Sequence, residues 1–386
     1  MSDKADKKGA FEESAAVADA GTAQSVIAGM VGGGYYDQHS APQMASIDFV
    51  LHWLDAAIAS MPLSEAWPTT IGVADFGCSE GGNSIAVMQR LIAAFRERTS
   101  RPIHTIHVDL PTNDHRQLFK NLRPDGRSVF NAPETYTSVV GGSFYGQLLP
   151  PGSIHFATTF NSIAYLSRRP FDRLANYVTA NGPSARCGIG EVSKEDRDAF
   201  ADLAEADMES FLMARAAELV PGGKLLVQNF GCGEELRECD GNCDVLNDAL
   251  LEMVDAGIIS REGYEAFYLP VYYRTLDELI APLTKSNSAL ARIFRLERVE
   301  TYEVPVAFVE QFLRSGDADR FARDYTNYVR AFFEPVLRVS FAEHGDLDRL
   351  VGQVFERIER LIRNHPDRYE YHYIAIAALL TRCDGD

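Results

Sequence analysis

Hydrophobic positions along the chain follow two rhythms. From Met44 to Ser60, Ile47, Val50, Leu51, Leu54 and Ile58 recur on one helical face. Ile71 to Phe76 is a short apolar run, the pattern of a buried strand. Ser84 to Phe95 returns to helical spacing with Ile85, Val87, Met88, Leu91 and Ile92. Strands are predicted at Ile103 to Val108, Tyr136 to Val140, Ser153 to Phe160 and Lys224 to Asn229. A helix from Glu205 to Val220 precedes the last of these and is stopped by Pro221-Gly222-Gly223. Strands alternating with helices over residues 70–230 predict a parallel, doubly wound α/β sheet. Beyond Phe230 the rhythm changes. Residues 244–284 read as mostly helical with a turn at Pro270, Phe294 to Val304 as a weakly alternating strand, 306–364 as successive helices, and Tyr369 to Leu380 as a final strand. A second, helical layer inserted into the C-terminal half of the sheet domain is the expectation. Val26 to Gln43, glycine-rich and aromatic, cannot make a long helix and reads as an ordered loop laid over something.

Composition narrows the partners. A chain of 386 residues can bury a substantial core in one large or two medium domains. Its net charge of −18 argues against nucleic acid, whose phosphates need clustered Lys and Arg, and disfavours an anionic membrane surface. No apolar run approaches the length that spans a bilayer. Met1 to Gly21 lacks the apolar stretch of a secretory signal and reads as a disordered tail, so a cytoplasmic location is expected. Six cysteines in so long a chain do not make a disulfide framework. Cys232, Cys239 and Cys243 lie close together with Asp240 among them, but they contain no C-x-x-C pair and match no zinc spacing. Reduced cysteines are expected there, and no metal.

Candidate chemistry begins at Val73 to Asn83, a strand, a glycine turn and a helix start. Gly77, Gly81 and Gly82 let the backbone approach a ligand, and the helix start offers free N–H groups. The spacing is not the G-x-G-x-x-G of dinucleotide folds, which disfavours a nicotinamide dehydrogenase. Loops of this D-x-G-x-x-x-G sort are common in S-adenosylmethionine enzymes; a turn that merely joins strand to helix is the alternative. Asp109 ends the next predicted strand, where such folds hold a ribose, although it falls about 32 residues after Gly77 against the usual ~20. A turn acid capping the next helix is the other reading. Phe144 and Tyr145, beside Gly141-Gly142-Ser143, can sandwich an adenine or belong to the core. All these loops follow strands, so the predicted sheet gathers them on one edge.

Taken together, these segments resemble the SABATH family of S-adenosylmethionine-dependent methyltransferases, which act on carboxyl groups of acids such as salicylate and jasmonate or on ring nitrogens of xanthines. The likeness runs from about Ala28 to Leu380. The family's Y-x-x-N-S-x-x-Q appears as Tyr36 to Gln43, its D-L-G-C-S-S-G-P-N as Asp75 to Asn83, and its D-L-P-x-N-D as Asp109 to Asp114. G-S-F-Y-G is Gly142 to Gly146, S-x-H-F is Ser153 to Phe156, and E-L-V-P-G-G is Glu218 to Gly223.

The resemblance implies a Rossmann-like class I methyltransferase sheet with an added helical cap. Its core would be 26–230 and 290–386, with 310–364 partly cap; 231–289 would be a helical cap insertion, and 1–25 a disordered tail. It implies S-adenosyl-L-methionine held by Ser40, Cys78, Asn83, Asp109, Leu110, Ser143 and Phe144. Tyr36, Asp75, Gly77 and Phe160 are counted with them. It implies that Gln43 and Tyr165 orient the substrate carboxylate as the catalytic pair, with Asn161 and Ala164 also at the substrate. Tyr165 stands where the family has a tryptophan and can still donate from its hydroxyl. Asn161 replaces a tyrosine, and Ala164 a histidine or methionine, so the aromatic pocket is remodelled. Some members bind magnesium near F-N-x-P, here Phe267-Tyr268-Leu269-Pro270 without the asparagine. Glu80, where the family has serine, reads as a cap of the following helix. The implied activity is methyl-ester formation on a small aromatic, terpenoid or fatty acid, with a homodimer as the expected assembly. N-methylation of a heterocycle and a non-catalytic cofactor-binding homologue are the alternatives.

Overall fold

The computed structural model describes residues 30–123 and 132–383, so the tail expected at 1–25 lies outside the described residues. The strands are β1 (Ile71–Phe76), β2 (Ile103–Asp109), β3 (Thr135–Gly141), β4 (Ile154–Phe160), β5 (Leu219–Phe230), β6 (Phe294–Val304) and β7 (Tyr373–Arg382). They form one sheet in the order β3-β2-β1-β4-β5-β7-β6. β1 pairs in parallel with both β2 and β4, and β7 lies antiparallel between β5 and β6. The strand order therefore reverses between β1 and β4, which opens a crevice at their C-terminal ends.

The helices are α1 (Tyr35–His39), α2 (Ala41–Ser60), α3 (Gly82–Arg96), α4 (His115–Asn121), α5 (Lys194–Glu218) and α6 (Asn242–Asp255), followed by α7 (Arg261–Ala266), α8 (Leu276–Thr284), α9 (Leu290–Ile293), α10 (Ala307–Ser315), α11 (Ala318–Ser340) and α12 (Leu347–Asn364). Every residue of β1 is buried because helices cover both faces. Val73 joins Leu54 of α2 and Leu91 of α3 on one side, while Ala74 and Phe76 join Phe211 of α5 and Leu279 of α8 on the other. The additional helical layer is built from α6, α11 and α12, with α12 packed against both α11 and α6.

Some boundaries differ from expectation, each for a local reason. α2 starts at Ala41 rather than Met44, with Pro42 in its first turn, where a missing N–H costs nothing. Gln43 is thus on a helix, not in a loop. α5 starts at Lys194 because the Ser193 hydroxyl accepts from the Asp196 N–H at 3.0 Å, with Glu195 and Asp196 at the positive end of the helix. It stops at Glu218, ahead of Pro221-Gly222-Gly223. That tripeptide lies inside β5, where the register with β4 shifts between Ile154 and Phe156. Asp114 caps α4 by accepting from the Arg116 N–H.

Candidate active site

The loops after β1, β2 and β4 converge on the crevice. At Gly77 the backbone is left-handed, φ +95°, and an added Cβ would fall 2.1 Å from the Ser162 hydroxyl, so only glycine fits there. The Asp109 carboxylate is fixed from both sides. Its Oδ2 accepts from the Ser79 N–H at 2.5 Å and its Oδ1 from the Leu110 N–H at 2.7 Å. Asp114, not Asp109, is the helix cap, so that alternative for Asp109 falls away. Asp75 is buried at the end of β1, and the Thr158 hydroxyl donates to it at 2.7 Å. Burial pushes its carboxyl up to about 6 against the pull of bonds from Ser84 and Thr158. Ser84 Oγ also bonds His107 Nδ1 at 2.8 Å, and burial holds that imidazole down at about 4, neutral at pH 7.

Glu80 has a different role from the one expected. It does not cap α3. Its Oε1 accepts from the Gly34 N–H at 2.7 Å and its Oε2 from the Asp37 N–H at 3.2 Å, so it caps α1 and straps the N-terminal segment over the crevice. Asp37 answers by accepting from the Gly82 N–H at 3.1 Å and from Asn121 at 2.6 Å. The strap also reaches α11, through Val31 N–H to the Ala331 carbonyl at 3.0 Å. Glu80→Ala removes two bonds to a buried carboxylate, each worth about 1.5–3 kcal/mol. Limited proteolysis is expected to cleave residues 30–39 several times faster in that variant, and an unchanged cleavage rate would show that Glu80 does not hold the strap.

The crevice contains a larger cavity and an adjoining smaller one. Tyr36, Gly77, Phe160 and Asn161 line both. The larger also takes Gln43, Asp109, Leu110, Phe144 and Tyr165, and the smaller takes Asp75, Cys78 and Asn83. Most of the expected site residues are therefore brought together. Three are not. Ser40 is buried behind the wall and receives a long 3.5 Å bond from Asn83. Ser143 is exposed and lines neither cavity. Ala164 is fully buried off the cavity, its carbonyl accepting from the Tyr272 N–H at 2.9 Å, so its small side chain does not enlarge the pocket directly. Asn161 faces the cavity but is already engaged. Its Oδ1 accepts from Gln228 at 3.2 Å and from the Tyr373 hydroxyl at 2.9 Å, and its Nδ2 donates to Ser46 at 3.3 Å.

Phe144 is aimed by a buried ion pair. Arg215 and Glu218 are 0% and 1% exposed at their side chains and bond at 2.7 Å. Arg215 donates onward to the carbonyls of Phe144 at 2.9 Å and Gly146 at 3.1 Å, while Glu218 Oε1 accepts from the N–H groups of Leu148 and Leu149 at 2.6 and 2.9 Å. The guanidinium also lies 3.7 Å over the Phe76 ring. The pair thus pins both halves of the loop that carries Phe144 to the end of α5.

Sequence reasoning missed the far wall. Tyr328 and Phe332 of α11, Phe230, Tyr273, Tyr373 and Glu238 complete the larger cavity. The aromatic residues carried no signal because core packing explains them equally well, Tyr328 and Phe332 in a helix, Phe230 and Tyr373 in strands and Tyr273 in the segment between α7 and α8. Glu238 lay among polar residues between predicted elements, and only its burial, 4% exposed, sets it apart. The three neighbouring cysteines are buried and unpaired. Among the described residues no group of three or more His, Cys, Asp and Glu side chains is placed to hold a metal ion. No helix is long and apolar enough to cross a membrane among the described residues.

The residues present suit S-adenosylmethionine: an anchored carboxylate for two ribose hydroxyls, a glycine that admits close approach, and an aromatic ring on a braced loop. Comparison with known proteins agrees. A jasmonate O-methyltransferase of Arabidopsis thaliana is 27% identical over 88% of this chain and 92% of its own. A salicylate carboxymethyltransferase of Clarkia breweri is 27% identical over 92% of this chain and 96% of its own. The fold matches that of a loganic acid methyltransferase solved with S-adenosylhomocysteine, with a TM-score of 0.73, 24% identity, and coverage of 92% of this chain and 99% of that one. Residues 25–383 match the family described as SAM dependent carboxyl methyltransferase, and the chain belongs to that family.

Proposed function

We propose that this enzyme forms the methyl ester of a small, largely apolar carboxylic acid, with Gln43 and Tyr165 holding the carboxylate. The observation that carries this reading is the pairing of those two side chains. Both line the larger cavity with Asp109, and neither has a side-chain hydrogen-bond partner among the described residues, so the Gln43 amide N–H and the Tyr165 hydroxyl are free to donate. No Lys, Arg or His lines that cavity among the described residues. A carboxylate is already ionised at neutral pH and needs no general base, only neutral donors that fix one oxygen.

When bound, S-adenosylmethionine supplies a methyl group on a sulfonium, which leaves as a neutral thioether. The chain's part is placement. In this reading Asp109 accepts the ribose hydroxyls, Phe144 covers the adenine, and Asp75 lies toward the amino-acid end. The Gln43 amide and the Tyr165 hydroxyl turn the acceptor oxygen into line, and the strap and α11 keep water away. The aromatic far wall suits an aromatic, terpenoid or fatty acid, and relatives named for jasmonate and salicylate support that range. A heterocycle bound through Asn161 gains no support, because the Asn161 oxygen already serves Gln228 and Tyr373.

Gln43→Ala is expected to lower kcat about 10–100-fold while leaving S-adenosylhomocysteine affinity within about twofold, because only the acceptor oxygen is misplaced. Steady-state kinetics beside calorimetric titration checks this; full turnover would remove Gln43 from the role. The reading keeps a cytoplasmic site of action, supported by six unpaired cysteines. It also keeps a homodimer on family likeness, which solution mass measurement tests.

A further inference from the structure

The carboxylate-holding pair leaves the far wall of the cavity without an assigned task, and that wall contains one acid. Glu238 follows β5 and lines the larger cavity while absent from the smaller one, where Asp75, Cys78 and Asn83 lie. Its side chain is almost wholly enclosed, and its two hydrogen bonds end on the same oxygen. Oε1 accepts from the Tyr371 hydroxyl at 2.6 Å and from Asn242 at 3.3 Å; Oε2 has no partner among the described residues. Tyr371 in turn shares a 2.8 Å bond with the hydroxyl of Tyr328, which lines the cavity as well. The carboxyl is thus locked in orientation by one oxygen while the other has nothing to bond. An oxygen fixed in orientation in this way accepts from a ligand donor with little further ordering cost.

Resting on the carboxyl-methylation reading, we propose that Glu238 is a specificity-determining residue that reads a hydroxyl group of the substrate remote from the carboxylate being methylated. The substrate class is then an apolar carboxylic acid with a distant hydroxyl. The charge balance favours a neutral group over an anion or a cation. No cationic side chain faces Glu238 across the cavity to hold an anion, and burial, which raises the Glu238 carboxyl above its ordinary range, disfavours any charged group beside it. A hydroxyl can donate to Oε2, whereas Phe230, Phe332 and the Tyr273 ring offer only apolar surface to the body of the acid.

The test uses matched acids differing only at the distal position (hydroxy, deoxy, keto and amino), assayed with S-adenosylmethionine and the full chain. The wild type is expected to favour the hydroxy acid over its deoxy partner at least about tenfold in kcat/KM. In Glu238→Met the hydroxy acid should fall to the deoxy level, chiefly through KM, with the deoxy acid and S-adenosylhomocysteine affinity unchanged. Glu238→Gln keeps the acceptor for Tyr371 but presents an N–H in place of Oε2, and decides the matter if the methionine variant does not fold. It should lose at least about fivefold of the preference. A preference that survives in a folded variant overturns the role of Glu238, as does a wild type that turns over all acids equally or favours the keto or amino acid. A wild type that methylates no acid overturns the methylation reading itself, and this inference with it.

Discussion

Asp109→Ala is expected to weaken S-adenosylhomocysteine binding by about 100-fold or more, equivalent to roughly 3 kcal/mol. The expectation rests on how completely the carboxylate is committed in advance. The Ser79 and Leu110 N–H groups hold one bond to each oxygen, so the remaining lone pairs are fixed toward the cavity before any ligand arrives. Two ribose hydroxyls donating to a carboxylate form charge-assisted bonds, and no ordering cost is left for the acid to pay. Alanine removes both bonds and leaves two backbone N–H groups without their acceptor. Asp109→Asn keeps the shape but presents an amide where one acceptor stood, and should lose about tenfold or more. Calorimetric titration with S-adenosylhomocysteine checks both, and a change below threefold in the alanine variant would detach Asp109 from the cofactor.

Arg215→Met is expected to cost about 3–5 kcal/mol of stability, because it leaves Glu218 charged, buried and without its cation. The partner carbonyls of Phe144 and Gly146 lose donors in the same step. The double variant Arg215→Met with Glu218→Leu removes the stranded charge and should recover a large part of that loss, a coupling read from denaturant unfolding of the four proteins. Recovered stability should not restore cofactor affinity, since the loop carrying Phe144 would still lack its two clamps. Additive losses in the double variant, or full affinity in a loosened loop, would show that the pair does not brace the site.

The centre of the sheet was readable because β1 and β4 are buried at every residue and so appear as unbroken apolar runs, as Ile71 to Phe76 does, whereas the edge strands β3 and β6 are partly exposed and patterned more weakly. Helix ends were less readable, since they depend on single capping atoms: Ser193 starts α5 well before its apolar spacing becomes regular. The part of the crevice lined from Asp75 to Asn83 and Asp109 to Asp114 was legible in short motifs whose residues are contiguous. The far wall was not. Tyr328, Tyr273 and Glu238 come from three separate segments of the chain and meet only through the packing of the helical layer on the sheet. Glu80 shows the same limit within a motif. Its neighbours suggested a cap for the next helix, whereas its partners, Gly34 and Asp37, lie far back in the sequence. Ala164 shows the reverse case: the motif suggested the pocket, but the backbone turns that side chain into the core.

Methyl-ester formation itself is tested most directly by the base lability of the product. The protein is incubated with S-adenosylmethionine labelled in its methyl group and a panel of aromatic, terpenoid and fatty acids, and the labelled product is treated with alkali. Release of the label as methanol, lost to the same degree from Gln43→Ala reactions as turnover itself is lost, is the predicted result. Label that stays on the product through alkaline treatment, as on a methylated ring nitrogen, would contradict the account.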